Sequence, residues 1–120
     1  MVAALVDVPP DAFEATTAFW SGALGKTPGF TDSDPDYAQF DEVFPGMQFY
    51  VQRVDAPARG HLDIETDDVE AEVRRLESLG AERVVQHKSW WVMRDPAGLL
   101  FCVVRVQSPE AFELHAHTWD

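Results

Sequence analysis

The chain opens on a short apolar strand and then breaks. Residues 3–8 (AALVDV) are apolar and partly β-branched, Pro9 and Pro10 stop them, and Asp11 supplies a helix start before AFEATTAFWSGALG. Within that run Phe13, Thr16, Thr17, Phe19, Trp20 and Leu24 recur at three- and four-residue intervals, which predicts a helix with one apolar stripe, ended by Gly25. TPGFTDSDPDYAQF is rich in turn formers, and YAQF, a turn at FPG and MQFYVQRV predict two or three strands. Residues 55–60 (DAPARG) carry Pro and Gly without periodicity and read as a linker.

The pattern then restarts. HLDIE alternates as a strand, and TDDVEAEVRRLESLG predicts a helix capped by Thr66 or Asp67, with Val69, Val73, Leu76 and Leu79 along one side. AERVVQ, SWWVMRD and LLFCVVRV predict three more strands, the last two joined by a DPAG turn at 95–98 where Pro96 fixes φ and Gly98 permits an unusual backbone. The tail SPEAFELHAHTWD has no assigned element. Residues recur as well as pattern: GMQFYVQRV at 46–54 lies over GLLFCVVRV at 98–106 without a gap, identical at five of nine positions. Each half therefore reads β, α, β, β, β, and two copies of a period of about fifty residues are too few for a solenoid or propeller.

Three segments carry a family likeness. FWSGALG after the first strand, HLDIETDDVEAEVRRLESLGAERV opening the second half and WWVMRDPAGLLFCVV closing it resemble the glyoxalase, bleomycin-resistance and extradiol-dioxygenase superfamily, in its small glyoxalase-like branch. The resemblance covers residues 3–106. It implies an α+β fold in which two tandem βαβββ modules, 3–54 and 61–106, form a curved mixed sheet around a central cavity, with helices on the convex face. The whole, 1–120, is expected to be one domain with a linker at 55–60 and a tail at 107–120. Strand alternation agrees: Leu62 and Ile64 can face a helix while His61 and Asp63 face the cavity, and Phe101 and Val103 can pack outward while Leu100, Cys102 and Val104 face inward.

Metal-binding members of the superfamily take one ligand from the first and one from the last strand of each module, usually His, Glu or Gln. Carried onto this sequence, those positions fall at or beside Leu5, at Tyr50 with Gln52 on the same face, at His61 and at Cys102. Leucine coordinates nothing, and catalytic zinc sites usually supply three protein ligands, so the expectation is no metal and no other cofactor.

Bulk properties narrow the partners. A chain of 120 residues that is 46% hydrophobic can bury a core without disulfides, and one cysteine fits a reducing compartment, so the cytoplasm is the expected location. The N-terminus has no basic region, and its apolar run ends within a few residues, so neither a signal peptide nor a membrane span is expected. The formal charge of -12 repels phosphate backbones and anionic lipid, which disfavours nucleic acid and membranes and suits a cationic or amphipathic ligand.

His61 is the candidate catalytic residue, because imidazole moves protons near neutral pH; the competing reading is a strand histidine satisfied by a neighbour. Cys102 among Leu, Phe and Val reads first as a small apolar residue. Trp90 and Trp91 face opposite ways on a strand, so one joins the core and the other lines a cavity or subunit contact. The expected ligand contacts are His61, Tyr50, Gln52, Cys102, Trp91 and Phe40, a mostly apolar wall with a few orienting polar groups. His115 and His117 share a face only if the tail is extended, and no third ligand accompanies them. Three functions fit: a metal-free small-molecule binder with modest acid–base chemistry, a metal-dependent lyase, isomerase or dioxygenase, and a non-catalytic dimerisation or regulatory module. A homodimer is expected, since resistance-type relatives form their groove that way.

Overall fold

The computed structural model describes residues 2–107 and 109–119. They form an α+β fold divided into two compact units, one of Ala3–His61 and one formed mainly by residues from Leu62 onward. In the first, β1 (Val2–Val8) leads through a 3-10 turn (Pro10–Ala12) to α1 (Phe13–Leu24), β2 (Gly29–Thr31), β3 (Asp34–Phe44) and β4 (Met47–Arg53). Its strands lie in the order β2, β3, β4, β1, and then the beginning of β5 (Arg59–Thr66).

The second unit takes over along β5 and continues with α2 (Val69–Ser78), β6 (Glu82–His87), β7 (Trp90–Arg94), β8 (Leu100–Arg105) and α3 (Pro109–His115). Its order is β5, β8, β7, β6. β5 and β8 are parallel, while β7 is antiparallel to both β6 and β8. Both units thus run β, α, β, β, β with the same relative strand order.

Local chemistry explains the boundaries. Gly25 ends α1 at φ 67, in the left-handed region that glycine enters without a Cβ clash, and its N–H donates to the Ser21 carbonyl. In the turn before β8, the Asp95 carboxylate accepts from the N–H groups of Ala97 at 3.0 Å and Leu99 at 2.7 Å. Gly98 sits there at φ 98. The cap of α2 is Asp68, not Thr66 or Asp67: its Oδ1 accepts from the Ala71 N–H at 3.0 Å. Thr66 instead accepts from the Asp68 N–H at 3.1 Å, setting the turn one residue later than the sequence suggested. Asp68→Ala should cost about 1 kcal/mol of stability, read as a lower urea midpoint with an unchanged slope.

Each unit has its own core. Val8, Phe13, Ala38, Phe40 and Val51 are buried together in the first, with Val6, Trp20, Leu24 and Phe49 packed against them. In the second, Val73, Met93, Phe101 and Val103 are buried together, joined by Ile64, Val69, Leu76 and Trp91. Strand alternation then assigns faces. On the α1 side lie the even positions of β1 and the odd positions of β4; Leu5, Asp7, Tyr50 and Gln52 belong to the opposite face. On the α2 side lie Ile64, Phe101 and Val103, as expected, which leaves Asp63 and Cys102 on the other face.

Two segments depart from expectation. Arg59 and Gly60, at the end of the expected linker, are already strand, because Arg59 gains an ion-pair partner in β1. The tail forms α3, so His115 ends a helix and is not paired with His117 on an extended strand; Ser108 and Asp120 of that tail lie outside the described residues. Leu79, expected on the buried stripe of α2, follows the helix and is 65% exposed. No helix among the described residues is long and apolar enough to cross a membrane.

Candidate functional site

A carboxylate buried inside an apolar strand organises the first unit. Asp7 is 1% exposed, and its Oδ2 accepts from Arg59 Nε at 3.2 Å while lying 2.8 Å from His61 Nδ1. Burying a charge is costly unless it is paired and hydrogen-bonded, and here both partners come from the first three residues of β5. Arg59 is 58% exposed and reaches in from solvent, whereas the His61 side chain is 14% exposed. The other oxygen, Asp7 Oδ1, is buried with no hydrogen-bond partner among the described residues.

The same face of this unit continues onto β3 and β4. Gln52 Nε2 donates to the Tyr37 hydroxyl at 2.8 Å, and the rings of Tyr37 and Tyr50 meet edge to face at 6.0 Å. Leu5 is buried and Gln48 is 3% exposed, while Tyr37, Tyr50 and Gln52 are half-buried. The face therefore has a closed floor with aromatic and amide groups at its edge.

In the second unit Asp63 on β5 stands directly opposite Cys102 on β8, and their ligand atoms lie within 4.8 Å of each other. Cys102 is half-buried. His61 precedes Asp63 by two residues on the same strand, so the two share a face of β5.

One expected ligand contact is overturned. Phe40 is 0% exposed in the core with Val8, Phe13, Ala38 and Val51, so it packs under α1 and cannot wall a ligand site. Trp91 is half-buried; it packs against Met93, Phe101 and Val103 on the α2 side, with the Arg83 guanidinium 4.9 Å from its ring centre, and lines an open pocket there with Thr66, Asp68, Gln86 and Arg105. Val92 pairs with Cys102, so it is Trp90, two residues before Val92, that shares the face of Cys102. Arg83 also bonds Glu70 and Glu77, and its hydrogen bond holds the Glu70 carboxyl below the ordinary 4.5. Whatever that exposed pair adds is present above the ordinary carboxylate range and is lost as pH falls through the lowered value.

Asp7 and Asp63 are the site residues that sequence reasoning passed over. The signal for Asp7 was a lone carboxylate in the run AALVDV, on the same strand face as Leu5. Asp63 was recognised as facing with His61 but not as standing opposite the thiol.

The donor chemistry bears on a metal. In the second unit the carboxylate of Asp63 and the thiol of Cys102 are both groups that zinc accepts. Asp63 is a donor that the sequence reading did not count among the ligands. In the first unit, Leu5 has no donor atom and the Gln52 amide is bonded to Tyr37.

The fold has counterparts among known proteins. A family model described as a glyoxalase-like domain matches residues 4–104. No curated protein matches the sequence. Among solved structures, methylmalonyl-CoA epimerase from Mycobacterium tuberculosis is similar at 15% identity and TM-score 0.61, over 91% of this chain and 89% of that one. A glyoxalase/bleomycin resistance protein/dioxygenase superfamily member from Vibrio splendidus 12B01 is similar at 13% identity and TM-score 0.59, over 88% and 98%. A protein named NAD-dependent benzaldehyde dehydrogenase from Legionella pneumophila gives 14% identity and TM-score 0.62, over 87% and 99%. Names this different on one fold leave the chemistry to the side chains. The match over 4–104, with the shared β, α, β, β, β order of both units, makes this chain a member of the glyoxalase-like domain family.

Proposed function

We propose that the chain binds a small aromatic or amphipathic molecule, without a resident metal, against the sheet face that carries Asp7, His61, Tyr50 and Gln52. The observation that carries this reading is the buried Asp7 carboxylate 2.8 Å from His61 Nδ1. An imidazole held in this way can hydrogen-bond a ligand or move a proton, and the neighbouring tyrosines and amide supply flat apolar surface with orienting polar groups. The absence of a donor at Leu5 favours the metal-free form. The charge of -12 favours cationic over anionic ligands.

Thermal-shift titration of EDTA-treated protein with aromatic and amphipathic amines tests it. A binder at a hundredfold its Kd should stabilise the protein by about 2.7 kcal/mol, and His61→Ala should abolish most of that gain. No stabilisation by any compound, or stabilisation indifferent to His61, removes the proposal.

Asp63 opposite Cys102 favours one second reading, a zinc-dependent enzyme in which these two side chains of the second unit are ligands. Bound zinc would polarise a substrate oxygen. Asp63 would then hold negative charge beside the thiolate. Elemental analysis of protein purified without a chelating tag separates the two: stoichiometric metal lost on Cys102→Ala establishes the zinc form.

A further inference from the structure

We propose that the second unit carries a separate binding site, on its α2 side, for a small aromatic carboxylate. The site is the open pocket beside Trp91, a cavity of about 880 Å³ lined by residues between Thr66 and Val106. That lies within the roughly 300–1,000 Å³ that small ligands occupy. All of the lining belongs to the second unit, so the site stands whether or not the face of Asp7 and His61 binds anything.

Charge singles this cavity out. Against 21 acids the chain has nine lysines and arginines, and Arg53, Arg59, Arg74, Arg75, Arg83 and Arg94 each meet a carboxylate. Of these nine, only Lys26, Lys88 and Arg105 form no ion pair among the described residues, and the last two line the same cavity. Continuing the antiparallel register in which Trp91 stands opposite Val103 brings Ser89, the neighbour of Lys88, level with Arg105. Of the acids in the lining, the Asp68 carboxylate is taken by the Ala71 N–H and Glu70 by Arg74 and Arg83, which leaves Asp67. Two free cations against one free carboxylate leave one positive charge in excess, which suits a carboxylate better than a doubly charged phosphate.

Lys88 is strained where it stands. It holds φ 50 in the two-residue turn between His87 and Trp90, which pair across the hairpin, and it is the only described residue other than glycine with positive φ. Glycine or asparagine is the ordinary choice there, so the turn does not account for a lysine, whereas a cation on the rim of the cavity does. The rest of the lining sets the rest of the ligand. Val69, Val106 and the exposed part of the Trp91 indole are apolar, while the Arg83 guanidinium beside that ring is already held by Glu70 and Glu77. A planar ring against the indole, with its carboxylate on the fork of Arg105 and near the Lys88 ammonium, uses both kinds of lining.

Titration of nitrogen-15-labelled protein with 2-naphthoate at low salt, followed by NMR, tests this. The amides of Gln86, Ser89, Trp91 and Val106 and the Trp91 indole N–H should shift and saturate, while the amides of Tyr50 and Gln52 stay still. Neutral 2-naphthalenemethanol and acetate, each supplying half of the ligand, should bind at least about tenfold more weakly. Arg105→Gln should weaken naphthoate about tenfold, and Lys88→Gly about threefold with a raised urea midpoint as the turn relaxes. Both side chains are exposed, so neither change opens the core. No saturable shift up to about 10 mM, shifts that map to Tyr50 and Gln52 instead, equal binding of either control compound, or a variant at Arg105 or Lys88 that binds as the wild type does overturns the site.

Discussion

Phe40→Ala is expected to cost about 3–5 kcal/mol, the range for truncating a fully buried aromatic side chain. Domains of this kind have about 5–15 kcal/mol in total, so the variant should unfold at a much lower denaturant concentration and sit close to the edge of folding at physiological temperature. The size of the effect follows from position: Phe40 is 0% exposed, meets Phe49 edge to face at 5.7 Å, and fills the space between β3 and α1 with Val8, Phe13 and Val51. A truncation there leaves a hole that a β-sheet on one side and a helix on the other cannot close. Ligand affinity of the folded fraction should be unchanged. A loss of less than about 1 kcal/mol together with abolished binding would return Phe40 to the ligand wall and overturn the face assignment of β3.

Arg59→Ala is expected to cost about 1–3 kcal/mol. The arginine itself is 58% exposed, so its own charge is well solvated and contributes little. Its removal matters because of what it leaves behind, an Asp7 carboxylate at 1% exposure with only the imidazole beside it. The double variant Arg59→Ala with Asp7→Asn should recover part of the loss, since a buried amide has no charge to desolvate. Urea unfolding of the wild type, both single variants and the double variant gives the coupling directly. If the two changes add without coupling, Arg59 is an ordinary surface residue and Asp7 is held by something else.

The fold was readable where the residues act locally. The helix α2 shows its capping region, its apolar stripe and its closing Leu-Gly in one uninterrupted stretch, and β8 is a run of apolar residues after a Pro-and-Gly turn. The site was readable only in part, because its decisive contacts join residues far apart in sequence. His61 was found from its strand, but Asp7, 54 residues away, has nothing beside it in the chain that marks it as a partner. The phase of β3 was hidden for another reason. The strand begins inside TDSDPDYAQF, whose proline and acidic residues read as turn, so no anchor told whether Phe40 or its neighbours faced α1. Trp90 and Trp91 are indistinguishable by composition, and only the pairing of Val92 with Cys102 assigns their faces. The start of β5 was lost because Arg59 and Gly60 look like linker until the acid across from them is known.

The lone acid in β1 also guards against slippage of that strand. Without it, β1 would be Val2, Ala4, Val6 and Val8 on one side and Ala3 and Leu5 on the other, a ribbon greasy on both faces and nearly indifferent to which one meets α1. A shift by a single residue exchanges the two faces. With Asp7 in place, the shifted strand would drive a carboxylate into Phe13 and Val51 while stranding Arg59 without its mate, so only one alignment survives.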